Sequence, residues 1–147
     1  MSRKGNDLKS RADRVARGCY SVHLRVFNRL ISRIYNDSLS SGGLTVSQFN
    51  ILTAVVKCEP VAPGQVSSVL HLEKSTLSRN IELMRKNGWI TTETKDRTLL
   101  ISTTGKGRDL YKNSLPLWEQ AQRKARKLAG EEIFQQIDST VSSLLKK

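Results

Sequence analysis

A chain of 147 residues with 37 % apolar side chains fits one domain that buries roughly two-thirds of its unfolded surface, and it is too apolar for a disordered tail. Twenty-five Lys and Arg against thirteen acids leave a net charge of +12, a balance that attracts polyanions through counterion release. No apolar run reaches the ~18–20 residues of a membrane span, the N-terminus MSRKGNDLKSRADR lacks the apolar stretch of a secretory signal, and Cys19 and Cys58, isolated and without metal-ligand spacing, read as reduced thiols in the cytoplasm.

Residues 1–12 are polar and are expected to fray. From Asp13 to Tyr35 a helical pattern runs through Ala16, Cys19, His23, Val26, Phe27, Leu30 and Ile34, while Arg25, Arg29 and Arg33 repeat every four residues on another face. DSLSSGGL then breaks the helix. Thr45 with Gln48 three residues on forms a T-x-x-Q capping box for the next helix, whose segment Phe49–Val56 is apolar nearly all round and should be buried. Glu59-Pro60 ends it, and Pro63 suits the first position of a short helix with an apolar stripe of Val66, Val69 and Leu70. His71-Leu72 is a tight connection. The helix EKSTLSRNIELMRKNGW follows, with Leu77, Ile81 and Met84 facing the core and Gly88 closing it.

The period then changes. WITTET and RTLLIST are rich in β-formers and flank Lys95-Asp96, which predicts a two-stranded hairpin. A long helix is expected from Gly107 to Ala129, using Leu110, Leu117, Ala121 and Leu128, with a kink at Pro116. Gly130 breaks the chain. A last amphipathic helix uses Ile133, Ile137, Val141 and Leu144, with Glu131 and Glu132 at its positive end.

Helix, short helix, tight turn, helix, hairpin is the order of a winged helix-turn-helix: a mostly α chain with a small β-hairpin wing. A short helix braces a second helix whose exposed face can lie in the major groove of DNA. Beside Leu77 and Ile81 that face holds Lys74, Ser75, Thr76, Ser78, Arg79 and Asn80. Short hydroxyls let the backbone approach phosphates and base edges. Arg79 can donate a bidentate pair to guanine, and Asn80 can pair with adenine. Arg97 follows the hairpin tip, where a long cation can enter a minor groove, and Lys95 adds a second charge there.

RLISRIYNDSLSSGGLTVSQFNIL, LEKSTLSRNIELMRKNGWI, KDRTLLISTTGKGRDLY and SLPLWEQAQRK, in that order and spacing, resemble the MarR family of transcription regulators from about Cys19 onward. The resemblance implies an N-terminal tail and dimerisation helix over residues 1–40, a DNA-binding lobe over 44–104 and C-terminal dimerisation helices over 105–147, all within one domain of residues 1–147. It implies a homodimer that binds a pseudo-palindromic double-stranded operator, and the expected role is that of a repressor. Residues 74–76 and 78–80 match the recognition-helix contact region, and Arg97 matches the wing arginine; Lys95 stands where the family often has an acid. In TTGKGRDLY, Thr104, Gly107, Arg108 and Leu110 match the start of the return helix, whereas Thr103 replaces a usual aliphatic residue.

The family also implies release by a small phenolic or other aromatic effector, or by cysteine oxidation. By position, His23, Phe27, Phe49 and Trp118 are the candidates for the effector pocket, with ordinary core packing as the alternative. Cys19 lies near the sensor region of the hydroperoxide-responsive branch, although the sensor position itself aligns with Ser21. Catalysis is not expected: His23 and His71 sit in no recognisable motif, GKG at 105–107 lacks the rest of a phosphate-binding loop, and no metal-ligand spacing or cofactor motif occurs. Two other readings use the same lobe. One is a sequence-tolerant architectural protein, favoured by the charge; the other is a protein-interaction winged helix, whose exposed face would be apolar or acidic, unlike residues 74–80.

Overall fold

The computed structural model describes residues 3–146, with side chains from residue 7 onward. Among these residues seven α-helices and one hairpin follow in the order α1 (Arg3–Gly18), α2 (Tyr20–Leu39), α3 (Val46–Cys58), α4 (Pro63–Leu70), α5 (Lys74–Lys86), β1 (Ile90–Lys95), β2 (Thr98–Thr103), α6 (Gly105–Ala129) and α7 (Glu131–Leu145), with a 3-10 turn, Ser40–Gly42, between α2 and α3. The chain divides into two compact units, residues 1–33 and residues 34–147.

The first unit corrects two expectations. Residues 3–12, expected to fray, belong to α1, with residues 1–2 outside the described residues, and the helix expected over 13–35 is broken at Cys19 and extended to Leu39. The Cys19 carbonyl accepts from the N–H groups of Val22 and His23, both at 3.1 Å, and so restarts the helix after Gly18. Among residues 7–33 no side chain is buried. Leu8, Ala12 and Val15 do recur at helical spacing, but they stand among so many charged residues that the segment reads as a polar tail.

The second unit holds the core. α3 starts as predicted: the Gln48 N–H donates to Thr45 Oγ1 at 3.2 Å and the Thr45 N–H donates to Gln48 Oε1 at 3.0 Å. Two orphan donors are thereby satisfied reciprocally. Phe49, Ile51, Leu52 and Val55 are buried at the centre, against Leu39, Val66, Leu77, Met84, Ile90 and Ile101. Pro63 opens α4, and Gln65 Oε1 reaches back to the Ala62 N–H at 3.2 Å. Val66 fills the core, but Val69 is 68 % exposed and does not belong to the apolar stripe. α4 has only eight residues, so it presents a single narrow face to α3.

α5 ends in a Schellman motif: Trp89 N–H bonds the Met84 carbonyl at 2.9 Å and Gly88 N–H bonds the Arg85 carbonyl at 3.0 Å, with Gly88 at φ +71°. The antiparallel hairpin pairs Ile90 with Thr103 and Lys95 with Thr98. Its turn is Asp96-Arg97, at φ +49° and +65°, one residue beyond the expected Lys95-Asp96. Side chains alternate, and this register places Ile90 and Ile101 together on the buried face; a one-residue slip would expose one of them. Val61 pairs with Ile101 across the other edge of β2, through bonds of 3.0 and 2.9 Å.

α6 begins at Gly105, two residues before the expected start, and runs through Pro116 to Ala129. Ala121 and Ala125 are fully buried, while Leu128 is 61 % exposed. α7 shows Ile133, Ile137, Val141 and Leu144 at helical spacing, all of them exposed.

Candidate nucleic-acid interface

The approach to α5 is fixed by backbone geometry. His71 takes a left-handed φ of +50°, the Leu72 N–H donates to the Ser67 carbonyl at 3.1 Å, and Ser67 Oγ donates to the Leu72 carbonyl at 2.7 Å. The two helices are thereby joined by a very short turn. His71 is exposed.

Leu77, Ile81 and Met84 then anchor α5 in the core at 2 %, 8 % and 0 % exposure. With that face inward, the side chains of Lys74, Ser75, Thr76, Ser78 and Arg79 are all exposed, and none makes an ion pair or side-chain hydrogen bond with another described residue. The other end of the helix differs. Glu82 pairs with Arg85 at 3.1 Å and with Lys86 at 3.5 Å, and the hydrogen bond from Arg85 holds the Glu82 carboxyl below its ordinary pKa. The two cations of the C-terminal half thus share one carboxylate partner, whereas Lys74 and Arg79 of the N-terminal half have none among the described residues and are available to a ligand. Asn80 is half-buried, and its amide donates to the Thr76 carbonyl at 2.9 Å. Its other amide hydrogen and its oxygen remain for a partner.

Lys95 and Arg97 are exposed at the wing. Arg97 occupies the second position of the turn itself, so its side chain leaves from the tip of the hairpin. A groove of about 370 Å³ lies between α4, α5 and β2, with Leu77, Ile81 and Leu99 in its wall and Lys74 and Ser78 at its edge.

The base of the wing is held by groups that the sequence did not connect. Glu59 Oε2 accepts from both the N–H and the hydroxyl of Thr103 at 2.6 Å, and Glu59 Oε1 accepts from Arg108 at 2.9 Å. Burial pushes the Glu59 carboxyl up, but the Thr103 and Arg108 donors outweigh it and hold the pKa below the ordinary value. Thr103, flagged only as a departure from an aliphatic pattern, is therefore a buried hydrogen-bond partner of a residue 44 positions earlier. Next to it, Thr104 caps α6: its hydroxyl accepts from the Gly107 N–H at 3.0 Å and donates to the Gly88 carbonyl at 2.6 Å. A side chain at Gly107 would overlap the Trp89 carbonyl. The end of α5, the wing and the start of α6 are locked together at this point.

Of the four residues expected to line an effector pocket, two meet. Phe49 stacks on Tyr111 with 5.3 Å between ring centroids and on Trp118 with 6.3 Å, and the three rings line a cavity of about 270 Å³ together with Asn50, Thr53 and Leu115. Tyr111 was not among the sequence candidates. His23 is exposed and Phe27 half-buried on α2, within the first unit. Cys19 is half-buried at the α1–α2 break and Cys58 is exposed at the end of α3; both are free thiols. Among the described residues no group of His, Cys, Asp and Glu could hold a metal ion, and no helix is long and apolar enough to cross a membrane.

Comparison with known proteins adds sequence and fold relatives. The MarR family model matches residues 42–98. An uncharacterized helix-turn-helix-type transcriptional regulator of Bacillus subtilis, YwoH, is 32 % identical over 62 residues, which is 42 % of this chain and 45 % of that protein. The match therefore spans less than half the length of this relative. Among solved structures, the M. tuberculosis transcriptional regulator MosR superposes with a TM-score of 0.76 over 88 % of this chain and 98 % of its own, at 24 % identity. A mutant of E. coli MarR complexed with operator DNA also gives 0.76, over 89 % and 96 % of the two chains at 18 % identity. At these identities the structural likeness is one of fold. The matched segment covers α3 through the wing tip, which are the elements just described; it folds as a winged helix-turn-helix and is similar in sequence to the MarR family.

Proposed function

We propose that this chain is a transcription regulator that binds double-stranded DNA in a sequence-specific manner, as a homodimer on a pseudo-palindromic operator, and that it acts as a repressor. The observation that carries the reading is the exposed N-terminal half of α5, where Lys74, Ser75, Thr76, Ser78 and Arg79 stand free of internal partners next to a fully anchored apolar face. In this reading Lys, hydroxyls and backbone N–H groups hold phosphates, Arg79 and Asn80 read base edges, and Lys95 and Arg97 follow the adjacent groove. The two half-sites then lie about one DNA turn apart.

The homodimer is supported by α7. Ile137 and Val141 border a groove of about 490 Å³ between α6 and α7, and a run of exposed apolar residues on one helix face is the surface a second chain covers. The cavity at Phe49, Tyr111 and Trp118 has the size and aromatic lining for a single-ring effector. Occupation there would release DNA by shifting the lobes.

The net charge of +12 favours a second reading, a sequence-tolerant architectural DNA-binding protein. Selection of bound genomic fragments, followed by competition with random DNA, separates the two. A regulator enriches a two-fold motif and keeps a preference on the order of 10³-fold or more for it. Equal competition by random DNA would leave only the architectural reading.

A further inference from the structure

α1 has no place in the winged lobe, yet its charges are arranged. In a helix with 3.6 residues per turn, Asp7, Ser10, Arg11, Arg14 and Arg17 fall within about 120° of one another, and in the structure these five line one shallow surface depression. Leu8, Ala12 and Val15 lie on the opposite side. Arg11 is held by Asp7 at 3.1 Å, but Arg14 and Arg17 make no ion pair with any described residue, and their Cβ atoms, three residues apart, are about 5–6 Å from each other. Two adjacent free guanidiniums on one face form a site for a polyanion with closely spaced charges. Lys9 points away from this face.

We propose that the Arg14–Arg17 face of α1 is a second DNA-contact surface, which binds backbone phosphates in addition to those met by the winged lobe. The proposal rests on the reading of the lobe as a DNA-binding module. Charge complementarity selects the partner: residues 1–36 carry nine basic and two acidic residues. A membrane surface is the poorer match, because the apolar side of α1 offers only Leu8 and Val15 as large residues and an interfacial helix needs a broad apolar face. Contacts to phosphate hold without reading sequence. Loss of this surface therefore weakens binding to every DNA by the same factor.

The test compares the full chain with Arg14→Gln/Arg17→Gln and with Lys9→Gln, using the selected operator and random DNA across a series of salt concentrations. Circular dichroism checks that helix content is unchanged. The double variant should flatten the slope of log Kobs against log[salt] by about 1.8 for each arm engaged, weaken operator and random DNA by equal factors, and leave the preference between them unchanged. Lys9→Gln should leave the slope where it was. An unchanged slope in the double variant overturns the proposal, as does a Lys9→Gln effect equal to that of each arginine. Binding to phosphatidylserine vesicles that is lost in the double variant, with DNA binding intact, assigns the face to a membrane and also overturns it. If the wild type shows no operator preference but the double variant still flattens the slope, the arm stands and sequence reading by α5 falls.

Discussion

Glu59 closes α3 and at the same time holds the wing. Its carboxylate collects two donors from Thr103 and one from Arg108, so replacement by Gln removes the charge and turns one of the two accepting oxygens into a donor. Glu59→Gln should cost about 1–2 kcal/mol at pH 7, read as a lower urea midpoint. The sign of the pH effect follows from the lowered pKa. The unfolded chain takes up the proton first as pH falls, so the wild-type advantage is full well above the ordinary value of 4.5 and disappears as pH drops through the lower folded value. A wild-type advantage that grows toward acid would contradict the assignment. Gly107 tests packing at the same joint. An Ala there gains about 1 kcal/mol of helix propensity, but its Cβ meets the Trp89 backbone, and overpacking costs about 1–3 kcal/mol. Gly107→Ala should therefore lower Tm, whereas Gly105→Ala, which has open space around it, should not.

At the scale of elements, those that carried local signals were legible in the sequence. The Thr45–Gln48 box, Pro63 at the head of α4 and Gly88 at the end of α5 are short-range chemistry, and each occurs as read. The exposed face of α5 was readable because its anchors recur at helical spacing. What failed were features set by partners distant in sequence or by no partner at all. α1 repeats Leu8, Ala12 and Val15 at helical spacing, but so few apolar residues among its charges did not stand out as a helix. Val69 has the right spacing but stays mostly exposed at the edge of α4. The wing turn depends on which of two strand registers buries both isoleucines. The Glu59–Thr103–Arg108 cluster joins residues 44 and 49 positions apart, beyond any local pattern. The wing itself gives an element-scale prediction. Arg97 sits at φ +65°, where a non-glycine residue costs roughly 1–2 kcal/mol. Arg97→Gly should keep or slightly raise Tm while it lowers DNA affinity and reduces the salt slope by about 1. A fall in stability with DNA binding intact would give the side chain a structural role instead.

For the whole molecule, one chain leaves too much apolar surface uncovered. No side chain among residues 7–33 is buried, and Ile137, Val141 and Leu144 of α7 are 39 %, 47 % and 63 % exposed. A second copy of the chain is the partner we propose for this surface. Ile137→Glu would place a charge in that interface and should convert a dimer to a monomer by light scattering, with a loss of operator affinity far larger than the single contact accounts for, since each lobe then binds alone. An unchanged dimer would move the interface away from α7. The proposed dimer also accounts for the apolar stripes of α2 and α7: periodicity reports a face to be buried and does not say which chain buries it.

The claim on which the rest depends is that the free N-terminal half of α5 reads DNA sequence. Its direct test is the affinity of wild type and Arg79→Ala for the selected operator and for every single base-pair change within one half-site. The account predicts a loss of about 1–3 kcal/mol on the operator and a relaxed preference at one base pair, with the other positions read as before. Unchanged affinity together with an unchanged preference at every position would contradict it.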